Sequence, residues 1–339
     1  MYIARTVACA VVLMGTSVQA QPPLEVQWMS EITTTSTLKV GLLEPNTGNV
    51  HLVFEPPDAF SGPCYGDEYY EIYGANGLPT ILWTDPCLSQ GSLDHHVASV
   101  MGSTSGRLDV LNVSSVGNPN HSHIFLGGGE IQSYDQGPPN NGYAYAYSAF
   151  ADGNTVYIGG TDVDCESPGT VYTWLGSGWR SCVPVTINSF EATPDSILAI
   201  HYPQVFMMNK ATGTLGSTFD LFTGPATNTG QSYLDGDSLY WTIVVSGSMH
   251  VGKYVLGQGP VWEQTLPFSI PKGLWLDPYG RLWTAAGNNL IWLNASHGGY
   301  ASETLGTSIG TLEMRSGELL VSGRFASNVC FIMKAVPTP

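Results

Sequence analysis

Basic residues are scarce in this chain, which has 11 Lys and Arg against 27 Asp and Glu among 339 residues. The formal net charge is −16 at pH 7, and no part of the sequence forms the clustered basic patch that binding to a phosphate backbone requires. The composition therefore argues against nucleic acid as a partner. Acidity of this kind is also typical of an exported protein that is kept soluble by its charge.

Long apolar runs are absent after the amino terminus, so no membrane span is predicted. At the amino terminus, Arg5 precedes the apolar segment 7–14, and Val18-Gln19-Ala20 forms a small-residue cleavage pattern. These features together indicate a secretory signal peptide over residues 1–20. We therefore expect residues 21–339 to form a single domain, monomeric, and either secreted or periplasmic.

Short catalytic motifs are also missing. The sequence has no Walker or dinucleotide-binding loop, no H-E-x-x-H, no C-x-x-C and no convincing Ser-His-Asp set. Gly306-Thr307-Ser308-Ile309-Gly310 fits G-x-S-x-G, but a nucleophile elbow needs a strand that leads into a helix, and a strand is predicted here. No motif therefore assigns an enzyme class.

What the sequence does contain is a strand motif that recurs seven times, with a small residue nine positions before an aliphatic one. The clearest copy has Gly273 and Leu282 on either side of a turn, and only Tyr147 breaks the small-residue rule. Successive aliphatic markers are 58, 48, 42, 41, 43 and 37 residues apart, which is the length of a four-stranded blade. The other marker pairs are Gly41/Val50, Ser99/Leu108, Tyr147/Val156, Ser189/Leu198, Gly230/Leu239 and Gly310/Leu319.

This period predicts an all-β fold, a seven-bladed β-propeller of four-stranded antiparallel blades. After Leu319 only two strands fit, at 318–324 and 328–334, so the last blade lacks an outer strand. The segment 24–29 can supply that strand from the amino terminus. A ring closed in this way leaves no free sheet edge at the junction of the two chain ends.

Five cysteines follow the signal peptide, and export makes disulfides plausible. We predict the pairs Cys64–Cys87 and Cys165–Cys182, because each pair brackets a polar loop. Each disulfide would stabilise the fold by roughly 3 kcal/mol through its effect on the unfolded chain. Cys330 lies between apolar neighbours and is expected to be a buried strand thiol.

The exceptional Tyr147 belongs to a strand in which Tyr143, Tyr145 and Tyr147 alternate with alanines. Strand alternation places the three tyrosines on one face, where they could form a stacking platform for a sugar or an aromatic ligand. The alternative is that they fill a gap between blades. The small residues at the other marker positions would relieve crowding between blades.

One blade also carries a family resemblance. The segments 276–284 (LDPYGRLWT) and 289–293 (NLIWL) resemble the blade signature of streptogramin-lyase-like, NHL-type and two-component-regulator propellers. In the lyase-like members, catalysis is associated with histidine acid/base chemistry beside a divalent metal. The resemblance implies architecture here, because no catalytic residue of that family can be matched in register.

Two clusters have residue types suited to chemistry. His95 and His96 follow an aspartate just before the second inner strand, and either could act as a metal ligand or general base; the alternative is a solvated pair. Asp162, Asp164 and Glu166 alternate along a turn-rich loop, where their oxygens could bind Ca²⁺ or remain solvated. No cofactor is predicted to be required.

Two functions fit these observations. The first is a non-catalytic propeller that binds an extracellular glycan or protein through the face bearing the long insertions 56–86 and 116–142. The second is a metal-assisted lyase or lactonase at the mouth of the central channel. We favour binding because the predicted channel positions are mixed and largely uncharged.

Metal analysis and melting curves with and without EDTA separate these two hypotheses. We expect no tightly bound divalent ion and no shift of the melting temperature on chelation. A bound ion whose removal shifts the melt would instead indicate the acidic loop or the lyase, which Asp164→Ala and His96→Ala variants would then distinguish.

Overall fold

The computed structural model describes residues 22–35, 37–43, 49–55, 68–73, 77–84, 95–102, 107–114, 119–125, 131–134, 144–152, 155–162, 165, 168–175, 178–227 and 229–339. Every regular element in these ranges is a β-strand, so they contain no helix that could cross a membrane. The strands are β1 Leu24–Thr33, β2 Thr37–Leu43, β3 Val50–Glu55, β4 Glu68–Tyr73, β5 Leu78–Thr84, β6 His95–Gly102, β7 Arg107–Ser114, β8 Pro119–Phe125, β9 Ile131–Tyr134, β10 Ala144–Asp152, β11 Thr155–Asp162, β12 Gly169–Leu175, β13 Arg180–Val183, β14 Ser189–Ala192, β15 Ser196–His201, β16 Gln204–Asn209, β17 Leu215–Asp220, β18 Gly230–Asp235, β19 Ser238–Val245, β20 Ser248–Val255, β21 Gly259–Leu266, β22 Pro271–Leu276, β23 Arg281–Ala286, β24 Asn289–Asn294, β25 Tyr300–Thr304, β26 Ser308–Arg315, β27 Glu318–Ala326 and β28 Val329–Pro337.

The described strands form seven antiparallel sheets of four strands each. Six sheets use four consecutive strands in chain order: β2–β5, β6–β9, β10–β13, β14–β17, β18–β21 and β22–β25. The remaining sheet combines β26, β27 and β28 with β1 as its outermost strand. The amino-terminal strand therefore pairs with the last strand of the chain, from Leu24 opposite Pro337 to Thr33 opposite Val329.

The first strand of each sheet lies beside the first strand of the next sheet along the chain, and β2 of the first sheet contacts β26 of the last. The architecture is all-β and consistent with a β-propeller. The first two strands of each sheet fall where the repeat predicts them, because the sequence between them carries clear turn residues.

The core is divided among apolar clusters, and the five described clusters each join two neighbouring sheets. In β23, Leu282 packs against the preceding sheet while Trp283 packs against the following one. The second strands are consequently apolar on both faces, as in β19, where the six residues 239–244 are all buried. One cluster joins the last sheet to the first, with Leu320 against Leu43 and Val50.

Two glycines at marker positions show why small residues occur there. A Cβ atom on Gly273 would lie 2.3 Å from the carbonyl oxygen of Leu312 in the next sheet, and its φ of 67° is in the left-handed region. A Cβ on Gly230 would lie 2.8 Å from the ring of Tyr202 in the preceding sheet. Crowding between sheets therefore accounts for glycine at position 273, as predicted, and contributes at position 230, where the carbonyl oxygen of Thr242 in the same sheet is nearer still, at 2.3 Å. Among the described residues, a Cβ on the marker Gly310 would contact only the carbonyl oxygen of Ser322, at 3.7 Å, so crowding does not explain that glycine.

Three details differ from the expectations. The segments 56–86 and 116–142 contain strands β4, β5, β8 and β9, so they are only in part insertions. Residues 121 and 123, expected in an insertion, lie in β8 opposite Leu111 and Asp109. The marker Leu198 faces the following sheet, unlike Leu239 and Leu282, because its copy is out of register by one residue and a one-residue slip reverses the face.

The predicted disulfide Cys165–Cys182 is present, with a Cα–Cα distance of 5.6 Å, and it joins the segment after β11 to β13. Cys330 is a buried free thiol in β28, as predicted. Cys64, Cys87 and the segment 1–20 lie outside the described residues, so the first disulfide and the signal peptide remain predictions.

Deletion of residues 24–32 tests the role of β1. Without β1, the outer edge of β28 loses its pairing partner and Ile32 leaves the cluster between the last and first sheets. We expect the deleted protein to aggregate on expression, measured as the loss of soluble protein. Val26→Ser, at a half-exposed position of the same strand, should remain soluble. A soluble deletion variant with a cooperative melt would contradict this role.

Candidate functional site

A cleft of about 460 Å³ opens where the first strands of three consecutive sheets turn into their second strands. It is formed by the ends of β18, β22 and β26 and by the turns that follow β22 and β26. The residues that give it its chemistry are Tyr233, Asp235, Trp275, Asp277, Met314 and Arg315. Asp235, Asp277 and Arg315 occupy equivalent positions, since each residue is the last before its hairpin turn.

Aromatic rings form one wall of the cleft. The ring centroids of Tyr233 and Trp275 are 5.6 Å apart, with the ring planes inclined by 55°. The indole Nε1 of Trp275 donates a hydrogen bond to the carbonyl oxygen of Leu312 at 3.0 Å, which fixes the indole against the next sheet. Partial burial, together with the negative charge of Asp235, raises the pKa of the Tyr233 hydroxyl.

Arg315 provides a cation, and its guanidinium is paired with the buried carboxylate of Glu313. Its Nε lies 2.7 Å from Oε1 of Glu313, whose other oxygen accepts a 2.9 Å hydrogen bond from the backbone N–H of Leu43 in the first sheet. Burial raises the pKa of Glu313 to about 7, although Arg315 and the N–H of Leu43 act in the opposite direction. Glu313 thus joins the cleft to the contact between the last and first sheets.

Asp277 is buried and its carboxylate is fully occupied. Oδ1 accepts the backbone N–H groups of Tyr279 and Arg281, each at 2.9 Å. Oδ2 accepts Nε of Arg281 at 2.7 Å and the indole N–H of Trp283 at 2.9 Å. The guanidinium of Arg281 also lies over the rings of Tyr279 and Trp283, at 5.1 and 5.9 Å from their centroids. This acid therefore stabilises the turn and is not available to a ligand.

Asp235 contrasts with Asp277 although it occupies the same position in its sheet. It is exposed, and within the described ranges its carboxylate has no hydrogen-bond or ion-pair partner. The cleft thus combines two inclined rings, the thioether of Met314, a guanidinium paired with a buried acid, and one free carboxylate. Such a surface can bind a ligand that presents apolar area beside a polar or charged group.

The histidines singled out in the sequence lie elsewhere. His95 and His96 begin β6, opposite Ser114 and Val113, whereas the cleft forms where first strands end. Their side chains and the preceding Asp94 are outside the described part of the molecule. A catalytic or metal-binding role for His95 or His96 therefore remains a prediction.

The tyrosine strand and the acidic loop are brought to the same end of the third sheet, because Ala144 lies opposite Asp162. The pairing of β10 with β11 shifts register between Ala146 and Ser148, so the regular alternation assumed for the tyrosines is interrupted at Tyr147. Tyr143, Asp164 and Glu166 lie outside the described residues, as do the side chains of Tyr145, Tyr147 and Asp162. The ligand platform and the Ca²⁺ site therefore remain predictions.

Comparisons with known proteins bear on the fold. No protein-family model matches the sequence, and no curated protein matches it. Among solved structures, BamB from Moraxella catarrhalis is similar, with a TM-score of 0.52 and 13% identity over 98% of this chain and 100% of that chain. At this identity the likeness concerns the fold alone, and it supports the β-propeller class.

Glu313, the buried acid that pairs with Arg315, makes the stability of the fold depend on pH. Its pKa is about 7 in the folded protein and 4.5 in an unperturbed glutamate, so the folded state binds more protons between these values. The free energy of unfolding should therefore fall as pH rises from 4.5 to 7, by about 3 kcal/mol from this group.

Glu313→Gln removes this titration, so urea unfolding between pH 4.5 and 8 should show a correspondingly smaller fall in the free energy of unfolding. Glu25→Gln, at an exposed position of β1, is the control and should follow the wild-type protein. Identical pH dependence in Glu313→Gln and the wild type would refute the assignment.

Proposed function

We propose that the chain is a secreted or periplasmic, seven-bladed β-propeller that binds a protein partner without catalysis. Seven described four-stranded sheets, the contact between β2 and β26, and the pairing of β1 with β28 support a closed ring of seven blades. The Cys165–Cys182 disulfide and the signal-like amino terminus support an oxidising compartment outside the cytoplasm. The likeness to BamB supports the propeller class.

The observation that carries the binding role is the cleft across the fifth, sixth and seventh sheets. Aromatic residues and arginine are the side chains most enriched where protein partners bury their strongest contacts. Here Tyr233, Trp275 and Arg315 meet in one concave surface, and each is already fixed by a contact with a neighbouring group. A fixed surface loses little conformational entropy when a partner binds.

A protein segment fits this cleft better than a glycan does. Sugar rings stack on open aromatic faces and hydrogen-bond to polar groups beside them. The rings of Tyr233 and Trp275 are inclined to each other, and the indole N–H of Trp275 is already bonded to Leu312. Met314 adds an apolar, polarisable surface that suits the side chains of a polypeptide.

Selection of phage-displayed peptides on the mature protein, in parallel with a glycan array, tests this proposal. Peptides enriched on the wild type should bind at least tenfold more weakly to Ser316→Trp, in which an indole at an exposed turn position fills the cleft. Trp275→Ala should weaken binding similarly. Tyr300→Ala removes an exposed ring outside the cleft and should leave binding unchanged.

Ser316 has a φ of 51°, in the left-handed region that a bulky residue adopts only with strain, so the melting temperature of each cleft variant is compared with that of the wild type before its binding is interpreted. Glycan binding without peptide binding, or peptide binding that neither cleft variant weakens, would overturn the proposal.

A further inference from the structure

The charges around the cleft are unevenly compensated. Arg315, the cation that lines the cleft, has Nε 2.7 Å from Glu313. Arg281, next to the lining residue Gly280, has Nε 2.7 Å from Asp277. Asp235, by contrast, has no ion-pair partner in the part of the chain that the structure describes, and Asp237 two residues later is also exposed. The charge that the cleft offers to a ligand is therefore negative.

Asp235 lines the cleft together with two aromatic rings. Tyr233 is on the same strand, and the carboxylate of Asp235 is close enough to raise the pKa of its hydroxyl. Trp275 packs at 5.6 Å from the Tyr233 ring and lines the same cleft. A carboxylate attracts a cation through its charge, and neighbouring aromatic rings offer apolar contact to the stem of an arginine or lysine side chain.

In the neighbouring sheet, the acid at the equivalent position already has a cation as its partner. There the equivalent acid, Asp277, binds Arg281, whose guanidinium lies 5.1 and 5.9 Å from the ring centroids of Tyr279 and Trp283. In the fifth sheet the corresponding turn is Asp235-Gly236-Asp237, and it supplies no arginine. In the fifth sheet the residue opposite Asp235 is Ser238, and the sheet's own cation, Lys253, lies 5.3 Å from the ring centroid of Tyr240 and forms no ion pair with Asp235 among the described residues.

We propose that this position receives an arginine or lysine side chain from an extended segment of the partner protein, with its charge held by Asp235 and its apolar stem packed beside the rings of Tyr233 and Trp275. This inference rests on the proposed function and specifies the chemistry of its ligand. The net charge of −16 acts in the same direction over a longer range, because an acidic protein accelerates encounter with a basic segment.

The test uses the strongest peptide from the selection described above and variants of it in which each arginine is replaced by citrulline or each lysine by norleucine. Citrulline keeps the shape of arginine without its charge. We expect one such replacement to weaken binding at least tenfold in isothermal titration calorimetry. Asp235→Asn should weaken the unmodified peptide by a similar factor and should have little effect on the uncharged peptide.

Asp195→Asn is the matched control, because Asp195 is an exposed turn aspartate in the fourth sheet and its loss changes the net charge equally. It should leave affinity within twofold. The weakening by Asp235→Asn should diminish as salt concentration rises, since an exposed charge contact is screened.

The outcomes separate this inference from the proposed function. If peptides bind in the cleft but contain no essential basic residue, or if Asp235→Asn and Asp195→Asn behave alike, the cationic anchor is wrong while the binding role stands. If no selected peptide is sensitive to Ser316→Trp, both fail.

Discussion

A sheet that is apolar on both faces cannot be stable alone, and this constraint governs the whole molecule. In β19, Trp241 packs with Leu198 of the preceding sheet, whereas Tyr240 packs with Leu274 of the following one. Each sheet therefore needs two neighbours, as repeating units do whose cores lie between repeats. The same need applies to the two ends of the chain, where Leu320 of the last sheet packs against Val50 of the first.

Polar contacts between the first strands follow from the same packing. In four consecutive sheets, the third residue before the first hairpin turn contacts the next sheet. Glu191 accepts a hydrogen bond from the hydroxyl of Ser232, and the ring of Tyr233 packs on Trp275. The indole N–H of Trp275 donates a hydrogen bond to the carbonyl oxygen of Leu312. Glu313 accepts a hydrogen bond from the backbone N–H of Leu43. Where this position is aromatic, in the fifth and sixth sheets, it also forms the wall of the cleft. One repeated position thus contributes both to cohesion between sheets and to a binding surface.

The sequence predicts the first hairpin of each sheet well, because its turn residues are local and its spacing repeats. Strands such as β4 and β8 are not predicted from turn residues and spacing, since the connections before them differ in length from one sheet to the next. The marker Leu198 does not occupy the same strand position as Leu239 and Leu282, because spacing alone does not detect a slip of one residue. The cleft is not predicted for a different reason: Asp235, Trp275 and Arg315 come from separate repeats, and only packing between sheets brings them together. Aligning the residues before successive turns would have been the available signal.

Asp277 and Asp235 occupy equivalent positions before neighbouring turns, but Asp277 contributes to the stability of the fold whereas Asp235 is available to a ligand. A buried carboxylate must be satisfied, and Asp277 has four donors, so its presence is explained by the stability of its own turn. Asp235 is solvated, so the fold does not require it to have a partner. Its side chain therefore retains its capacity to bind a cation. A ligand can use this capacity at the cost of displacing water, beside rings that packing between the sheets has already positioned.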